Sequence, residues 1–516
     1  MTAAAPPSTV SETAGLVPAW LQWPAWPFRA PEPQSPRKSE TDLMDLKKFY
    51  IGGAWVTPHS SREFPVLNPA TEEQIGSIIL GDETDVNTAV AAAKAAFDSF
   101  SRTSRDERIA LLERLLEICN ARREEMALAL SAEMGAPISM ARDAQADAGI
   151  GHLEGVLAAL KSQQLRETLA NGDILVREPI GVCGLITPWN WPVNQIALKV
   201  LPALATGCTC VLKPSEHTPM SAAVYAQMIH DAGYPAGVFN LIHGDGPTVG
   251  AGLSRHRDVD MMSFTGSTRA GVAVAKDSAD TVKRVTLELG GKSPNLVFAD
   301  ADLEEKVTAS VLECMYNTGQ SCDAPTRMLV ERSCYDQVLE IAKAAAAGQA
   351  VGNPAEEGGH IGPMFDRIQF DRVQSMIQTG IDEGATVLTG GPGRPEGLDK
   401  GWYVRPTVFA DVTNDMAIAQ QEIFGPVLVI IPFEDEEDAI RIANDTPYGL
   451  AAYLQTGDPE RAERVAARLR AGAVHINGGG FNYGSPFGGY KQSGNGREGG
   501  MLGLEDYQEV KTLHFG

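Results

Sequence analysis

A chain of 516 residues with 43% apolar and 21% charged side chains has the composition of a globular protein, and at roughly 100–200 residues per domain it has room for two to four domains. Its net charge of −23 argues against nonspecific binding to nucleic acid or to an anionic membrane surface, and no apolar run reaches the roughly 18 residues of a membrane span. The seven cysteines are odd in number and follow no framework spacing, which fits a reducing, cytoplasmic compartment.

Residues 1–43 are rich in Pro, Ala and Ser, have no basic residue before Arg29, and carry Trp20, Trp23 and Trp26 at Pro-broken spacing. Neither a secretory signal nor an Arg-rich transit peptide fits, and the segment reads as a disordered extension with Met44 opening the domain. "KKFYIGGAWV" alternates around Gly52-Gly53 and predicts a hairpin. "DETDVNTAVAAAKAAFDSF" predicts an amphipathic helix with an acidic first turn, and two more helices follow, ending at Gly135. "QQLRETLANGDILVREP" predicts a second hairpin, turning at Asn171-Gly172. Short apolar strands then alternate with helices from "GVCGLITP" through "NQIALKVLPALAT", "CTCVLK" and "DVDMMSFTG" to "RVTLELGG". Repeated βαβ units of this length predict a parallel, doubly wound α/β sheet. Cys208 and Cys210 fall in one of these strands as C-x-C, with no further ligand beside them, and read as buried structural thiols. A second α/β block runs from about Lys292 to Lys491, and "GLEDYQEVKTLHFG" returns to a strand.

Several stretches carry chemistry. "FTGSTRAG" (Phe264–Gly271) follows a strand and opens a helix, so its N–H groups and Ser267 suit a pyrophosphate; the spacing departs from G-x-G-x-x-G, and a simple helix cap is the alternative. "VLKPSEHTP" ends another strand, where Lys213 and Glu216 can hold ribose hydroxyls, or form a surface pair. "LELGGKSPN" puts Glu288 at a strand end before two glycines, as a catalytic or a structural carboxylate. "TPWNWP" fixes Asn190 in a rigid turn, where an amide can donate to a developing oxyanion. "YNTGQSCDAPTR" sets Cys322 among small and polar residues, whereas the other cysteines fall in helix or strand patterns.

Taken together and in order, "ITPWNWP", "VLKPSEHTP", "FTGSTRAG", "TLELGGKSPN", "NTGQSCDAPTR", "QEIFGPVL" and "SPFGGYKQSGNGREGG" resemble the motifs of the aldehyde dehydrogenase superfamily, from about Phe49 to Thr512, with the family's separation of Glu288 and Cys322. The resemblance implies two doubly wound α/β domains, a Rossmann-like cofactor domain (44–156 and 180–290) and a catalytic domain (291–491), plus a small β oligomerisation element (157–179 and 492–516). It implies Cys322 as nucleophile, Glu288 as general base, Asn190 with the Cys322 N–H as oxyanion hole, and Lys199 as a proton-relay candidate. NAD rather than NADP is the implied cofactor, because Glu216 would repel a 2′-phosphate. The matching positions are Ile186, Thr187, Pro188 and Trp189; Lys213, Ser215, Glu216 and Gly246; Phe264, Gly266, Ser267, Leu289 and Gly290; and, at the nicotinamide ribose and ring, Glu422 and Phe424. No metal is implied.

Trp191, Asp323, Phe481, Tyr483 and Phe487 are candidate substrate walls, and their aromatic character favours an aromatic or medium-chain apolar aldehyde. Arg327 is close in sequence, but no arginine pair for a substrate carboxylate stands out. The expected partner is a small aldehyde and a second copy of the chain, as homodimer or homotetramer. Two features depart from the family pattern: Asp323 follows the nucleophile, where many relatives carry a neutral residue, and the chain stops four residues after Thr512, which predicts a short final strand. A CoA-acylating or semialdehyde-specific enzyme, a cysteine hydrolase and a non-catalytic structural protein are the alternatives; Glu288 weighs against CoA acylation, the aromatic walls against a charged semialdehyde, the absence of a histidine from the motif around Cys322 against a hydrolase, and the presence of Cys322 and Glu288 against a structural protein.

Overall fold

The strands that read as unbroken apolar runs are buried on both faces, the condition for parallel sheets covered by helices on either side. The computed structural model describes residues 45–515; the expected N-terminal extension and its tryptophans lie outside the described residues. The larger sheet runs, edge to edge, Gly494–Asn495, Arg284–Glu288, Met261–Thr265, Val182–Ile186, Thr209–Lys213, Phe239–Leu241, Phe49–Ile51 and Ala54–Val56. Its five central strands are parallel, and the Gly52-Gly53 hairpin joins one edge antiparallel, with Tyr50 opposite Leu241. The chain winds outward from Val182–Ile186 to Phe239–Leu241, then returns to add Met261–Thr265 on the other side. That reversal opens a crevice beyond the carboxyl ends of Val182–Ile186 and Met261–Thr265.

Side chains alternate between two apolar layers. Cys210, Leu212 and Leu241 face one that includes Leu112, Leu160 and Val200, while Val211, Ile242 and Met262 face one that includes Val86, Val90 and Val249. Cys208 and Cys210 are fully buried, as structural thiols should be.

The second sheet runs Thr386–Thr389, Thr407–Ala410, Val427–Phe433, Arg327–Glu331, Pro294–Val297, Ala451–Gln455 and Ala473–Ile476, parallel except for its first strand. Only five residues, Leu289–Ser293, link Arg284–Glu288 of the first sheet to Pro294–Val297 of the second. The carboxyl edge of one sheet therefore meets the amino edge of the other.

A third, antiparallel sheet contains Gln508–Leu513, Ile174–Pro179 and Arg166–Thr168. The Asn171-Gly172 turn closes the expected hairpin, with Gly172 N–H donating to the Leu169 carbonyl at 2.9 Å. The final strand is not short: its six residues pair along the whole of Ile174–Pro179. Sequence periodicity did not single out the hairpin Arg62–Leu67/Gln74–Leu80, whose own small core is Val66, Ile78 and Leu80.

One buried carboxylate ties two helices of the first layer. Glu133, in the last turn of Arg123–Met134, accepts from the Met220 and Ser221 N–H groups (2.5 and 3.0 Å) and from the Ser221 hydroxyl (2.5 Å), at the start of Pro219–Asp231. It fills the role of the missing N-cap for that helix. Burial raises the Glu133 carboxyl to about 7. A folded-state value above the unfolded one stabilises fully below the unfolded value near 4.5, and that contribution is lost as pH rises through 7. Glu133→Ala is expected to cost about 1–3 kcal/mol and to lower the melting temperature more at about pH 5 than at about pH 8; an unchanged melting temperature at both would show that water replaces the carboxylate.

Candidate active site

Three consecutive residues after helix Leu303–Met315 adopt left-handed backbone angles: Asn317 (φ 52°), Thr318 (φ 58°) and Gly319 (φ 68°). Such a run is costly for L-residues, on the order of 1–3 kcal/mol each, and persists only where surrounding bonds hold it. Here the Asn317 amide donates to the Asn190 carbonyl (2.9 Å) and the Gln320 carbonyl (3.3 Å), and the Thr318 hydroxyl donates to the Gly362 carbonyl (3.1 Å). A Cβ at Gly319 would overlap the Gly425 backbone. The turn delivers Cys322 to the junction between the two sheets. The other six cysteines are buried, and Cys322 alone is of intermediate exposure.

Asn190 is 3% exposed, and its side-chain amide donates to the Gln320 carbonyl at 2.9 Å. An amide NH₂ carries two hydrogens, so one anchors the nucleophile loop and the second is left for a ligand. Trp191 donates to the Ser321 hydroxyl at 2.9 Å, tying the next residue to the same loop. Trp189 stacks on Phe365 with ring centres 3.5 Å apart and meets Phe424 edge-on at 5.4 Å.

Glu288 ends its strand 3% exposed, and neither carboxylate oxygen has a hydrogen-bond partner among the described residues. Burial first, and the nearby Glu498 second, push its carboxyl well above the usual range, against Lys199 and Arg497. Lys199, wholly buried, forms an ion pair with Glu498 beside it. The two glycines that follow Glu288 are dictated by contact: a Cβ at Gly290 would overlap the Glu422 carboxylate, and one at Gly291 would overlap the Cys322 carbonyl. Glu422 accepts from the Gly291 N–H at 3.0 Å, and enclosure by protein at the floor of the cleft raises it to about 7. The Cys322 thiol is likewise pushed up, by burial and then by Asp323, Glu422 and Glu288.

The crevice of the first sheet gathers the remaining candidates. Thr187 and Thr265, at the ends of the two strands that flank it, hold buried hydroxyls with no partner among the described residues. Lys213 donates to the Gly244 carbonyl (2.6 Å), the Pro214 carbonyl (2.9 Å) and Glu216 (3.2 Å). Ser267 caps helix Thr268–Ser278, so the cap reading holds and the free N–H groups of that helix still face outward from Gly266. Ser215 accepts from the His217 N–H at 3.3 Å, Gly246 opens a π-helical turn, and Ile186, Phe264 and Leu289 pack in one apolar layer. A helix N-terminus, an ammonium–carboxylate pair and two orphan hydroxyls form a donor set that fits a dinucleotide.

Phe481, Tyr483 and Phe487 cluster edge-to-face at 5.6 and 6.1 Å, and His152 joins them 4.9 Å from Tyr483. Trp191 packs near Tyr316, ring centres 6.2 Å apart. Asp323 lies near His475, whose ring stacks on Tyr453 at 4.7 Å. Arg327 cannot serve a substrate: it is fully buried and donates to the Lys292, Ile442 and Ala443 carbonyls and to Asn414. Gln145, Asn317, Gln320, Phe365, His152 and Glu498 belong to the site without having been assigned from sequence. Asn317, Gln320 and Glu498 lie inside recognised motifs, which is the signal that could have found them. Among the described residues no group of three His, Cys, Asp or Glu could hold a metal ion, and no helix is long and apolar enough to cross a membrane.

Comparison with known proteins agrees with this fold. The aldehyde dehydrogenase family model matches residues 55–513. A 3-succinoylsemialdehyde-pyridine dehydrogenase from a Pseudomonas species is 52% identical over 472 residues, 91% of this chain and 99% of that protein. An aldehyde dehydrogenase from Bartonella henselae superposes with a TM-score of 0.89 at 49% identity, covering 90% of this chain and 98% of that one. A Cys-to-Ala mutant of aldehyde dehydrogenase C from Pseudomonas syringae, complexed with NAD+ and octanal, superposes with a TM-score of 0.90 at 50% identity, covering 92% and 97%.

Because burial and three carboxylates hold Cys322 as a thiol, its alkylation by iodoacetamide in the absence of ligands is expected to keep accelerating through about pH 9. Asp323→Asn should raise the rate at any fixed pH below that. Mass spectrometry of the Cys322 peptide measures both, and a rate already flat at neutral pH would contradict the raised pKa.

Proposed function

The chain belongs to the aldehyde dehydrogenase family, and from that premise we propose that it oxidises an aldehyde to the carboxylic acid with NAD as cofactor, through a covalent intermediate on Cys322. The observation that carries the reading is the closed geometry around the nucleophile: Asn190 bonded to the Gln320 carbonyl, Glu288 unpaired at the strand end, and Gly291 packed on the Cys322 carbonyl.

With its proton released to water, the Cys322 sulfur attacks as the thiolate on the carbonyl carbon to give a thiohemiacetal oxyanion. The second Asn190 N–H and the Cys322 backbone N–H stabilise the oxyanion, each donor being typically worth ~2.7–4 kcal/mol. When bound, NAD supplies the hydride acceptor. Loss of hydride leaves a thioester on Cys322, and Glu288 takes a proton from the water that hydrolyses it. Glu288 must ionise to do so, and its raised pKa places the acid limb of the hydrolytic step above the ordinary carboxylate range. Glu498, held by Lys199 beside Glu288, can accept that proton onward. Lys213 and Glu216 fit the adenosine ribose, the N-terminus at Ser267 the pyrophosphate, and Glu422, Phe424 and Trp189 the nicotinamide end.

An aromatic or medium-chain apolar aldehyde suits the ring cluster of Phe481, Tyr483 and Phe487 with His152, and the octanal complex and the pyridine-bearing substrate name among the relatives support that class. Asp323 near the nucleophile, with Arg327 consumed internally, disfavours a substrate carboxylate and hence an anionic semialdehyde. The third sheet leaves strand edges open, with Val510 at 59% exposure, and pairing them in a homodimer or homotetramer would cover an otherwise exposed edge. Seven free thiols suit a cytoplasmic setting.

Formation of NADH with a panel of apolar, aromatic and anionic aldehydes tests the reading. Cys322→Ala is expected to fall below roughly a thousandth of wild-type turnover while NAD still binds. Glu288→Gln should give a burst of NADH followed by slow turnover, because acylation survives and hydrolysis fails; no burst together with an unchanged steady-state rate would remove Glu288 from the mechanism. The kcat/KM for NAD should exceed that for NADP, and Glu216→Ala should narrow the ratio. A wild-type preference for NADP would overturn the role given to Glu216.

A further inference from the structure

We propose that Gln145 is a positioning residue that sets the Asn190 turn against the nucleophile loop, a role that rests on the reading of Asn190 and Cys322 given above. Gln145 lies in Ala141–Ala146, a π-helical insert between Ile138–Met140 and Asp147–Ser162. Such bulges give up regular helix spacing and recur at functional sites, where they re-aim a side chain. The side chain re-aimed here is wholly buried. Its Nε2 donates to the Asn190 carbonyl at 3.1 Å and lies 3.5 Å from both the Asn317 side-chain oxygen and the Met134 sulfur.

The Asn317 amide donates to the same Asn190 carbonyl at 2.9 Å. A carbonyl oxygen has two lone pairs, and both are engaged. From the other direction, the Asn190 amide donates to the Gln320 carbonyl at 2.9 Å, and the Gln320 amide donates back to the Asn317 carbonyl at 3.1 Å. Asn190, Asn317 and Gln320 thus form a closed ring of amides, and Gln145 adds the second donor to its Asn190 carbonyl, so the peptide after Asn190 cannot turn without losing a bond. The opposite amide orientation would set oxygen against both the Asn190 carbonyl and the Asn317 oxygen, so the donor role is the only attractive one.

Stability does not explain the residue. Its Oε1 is buried without a partner among the described residues, and burying a half-satisfied amide is a cost that an isosteric apolar side chain would avoid. What the amide supplies is orientation, and small errors of placement at a reacting centre can cost up to about a hundredfold in rate.

The test is Gln145→Met in the otherwise intact enzyme, alone and combined with Asn190→Ala. The single variant is expected to keep or raise the melting temperature, to bind NAD with unchanged affinity, and to slow the pre-steady-state burst of NADH by about tenfold or more. In the Asn190→Ala background the same substitution should slow the burst no further, because its effect passes through Asn190. Should Gln145→Met fail to fold, Gln145→Leu takes its place in both arms. An Asn190→Ala burst as fast as wild type would sink the oxyanion reading itself. If Asn190→Ala is impaired, then a Gln145→Met burst within about twofold of wild type, or an equal slowing in both backgrounds, overturns the positioning role.

Discussion

Everything chemical in this molecule depends on the five residues that cross from one sheet to the other. Leu289–Ser293 is too short to wander, so the carboxyl edge that carries Glu288 and the amino edge that carries the Cys322 loop must face each other. Close approach is the constraint within that crossing. Gly290 and Gly291 press against the Glu422 carboxylate and the Cys322 carbonyl, where no side chain fits. The same contacts bring Glu288, Glu422 and Cys322, the proposed base, nicotinamide-ribose carboxylate and nucleophile, into one place.

Crowding carboxylates around a thiol has an electrostatic price. Glu288, Glu422 and Asp323 all raise the Cys322 pKa, and burial raises their own. Each shift works against the charged form, of the thiol and of the acids alike. Lys199 is the buried cation that opposes this trend at Glu288, and it is matched by Glu498 rather than left free. Reactivity in such a site has to be elicited by whatever enters it, which keeps a nucleophile that must survive between turnovers from reacting indiscriminately.

Much of this was legible in the sequence because the relevant signals are local. Apolar runs bounded by turn residues gave the parallel strands of the first sheet, Gly52-Gly53 and Asn171-Gly172 gave the hairpins, and ordered motifs gave Cys322, Glu288 and Asn190. What escaped were contacts made across long separations. Gln145 bonds a carbonyl 45 residues away, and Phe365 stacks on a tryptophan from the first sheet's loop. Neither leaves a periodic or spacing signal. Arg327 illustrates the converse: proximity in sequence to Cys322 suggested availability to substrate, yet its side chain is turned inward and spent on main-chain carbonyls. The strands Ala451–Gln455 and Ala473–Ile476 escaped notice because a short apolar run alone does not distinguish strand from helix.

The path of the segment from Gly494 to Leu513 has a consequence for the order in which the molecule becomes competent. Gly494 and Asn495 pair with Glu288 and Leu287, Glu498 meets Lys199, and the Asp506 and Gln508 carbonyls hold Arg284 on the strand that carries Glu288 as the chain enters the third sheet. A growing polypeptide emerging from the ribosome acquires its cofactor crevice and its thiol well before it acquires this segment. The strand and loop that carry Glu288 and Cys322 thus come early and the edge that braces Glu288 comes late, so the seam at Gly494–Asn495 is what completes the sheet beside that carboxylate.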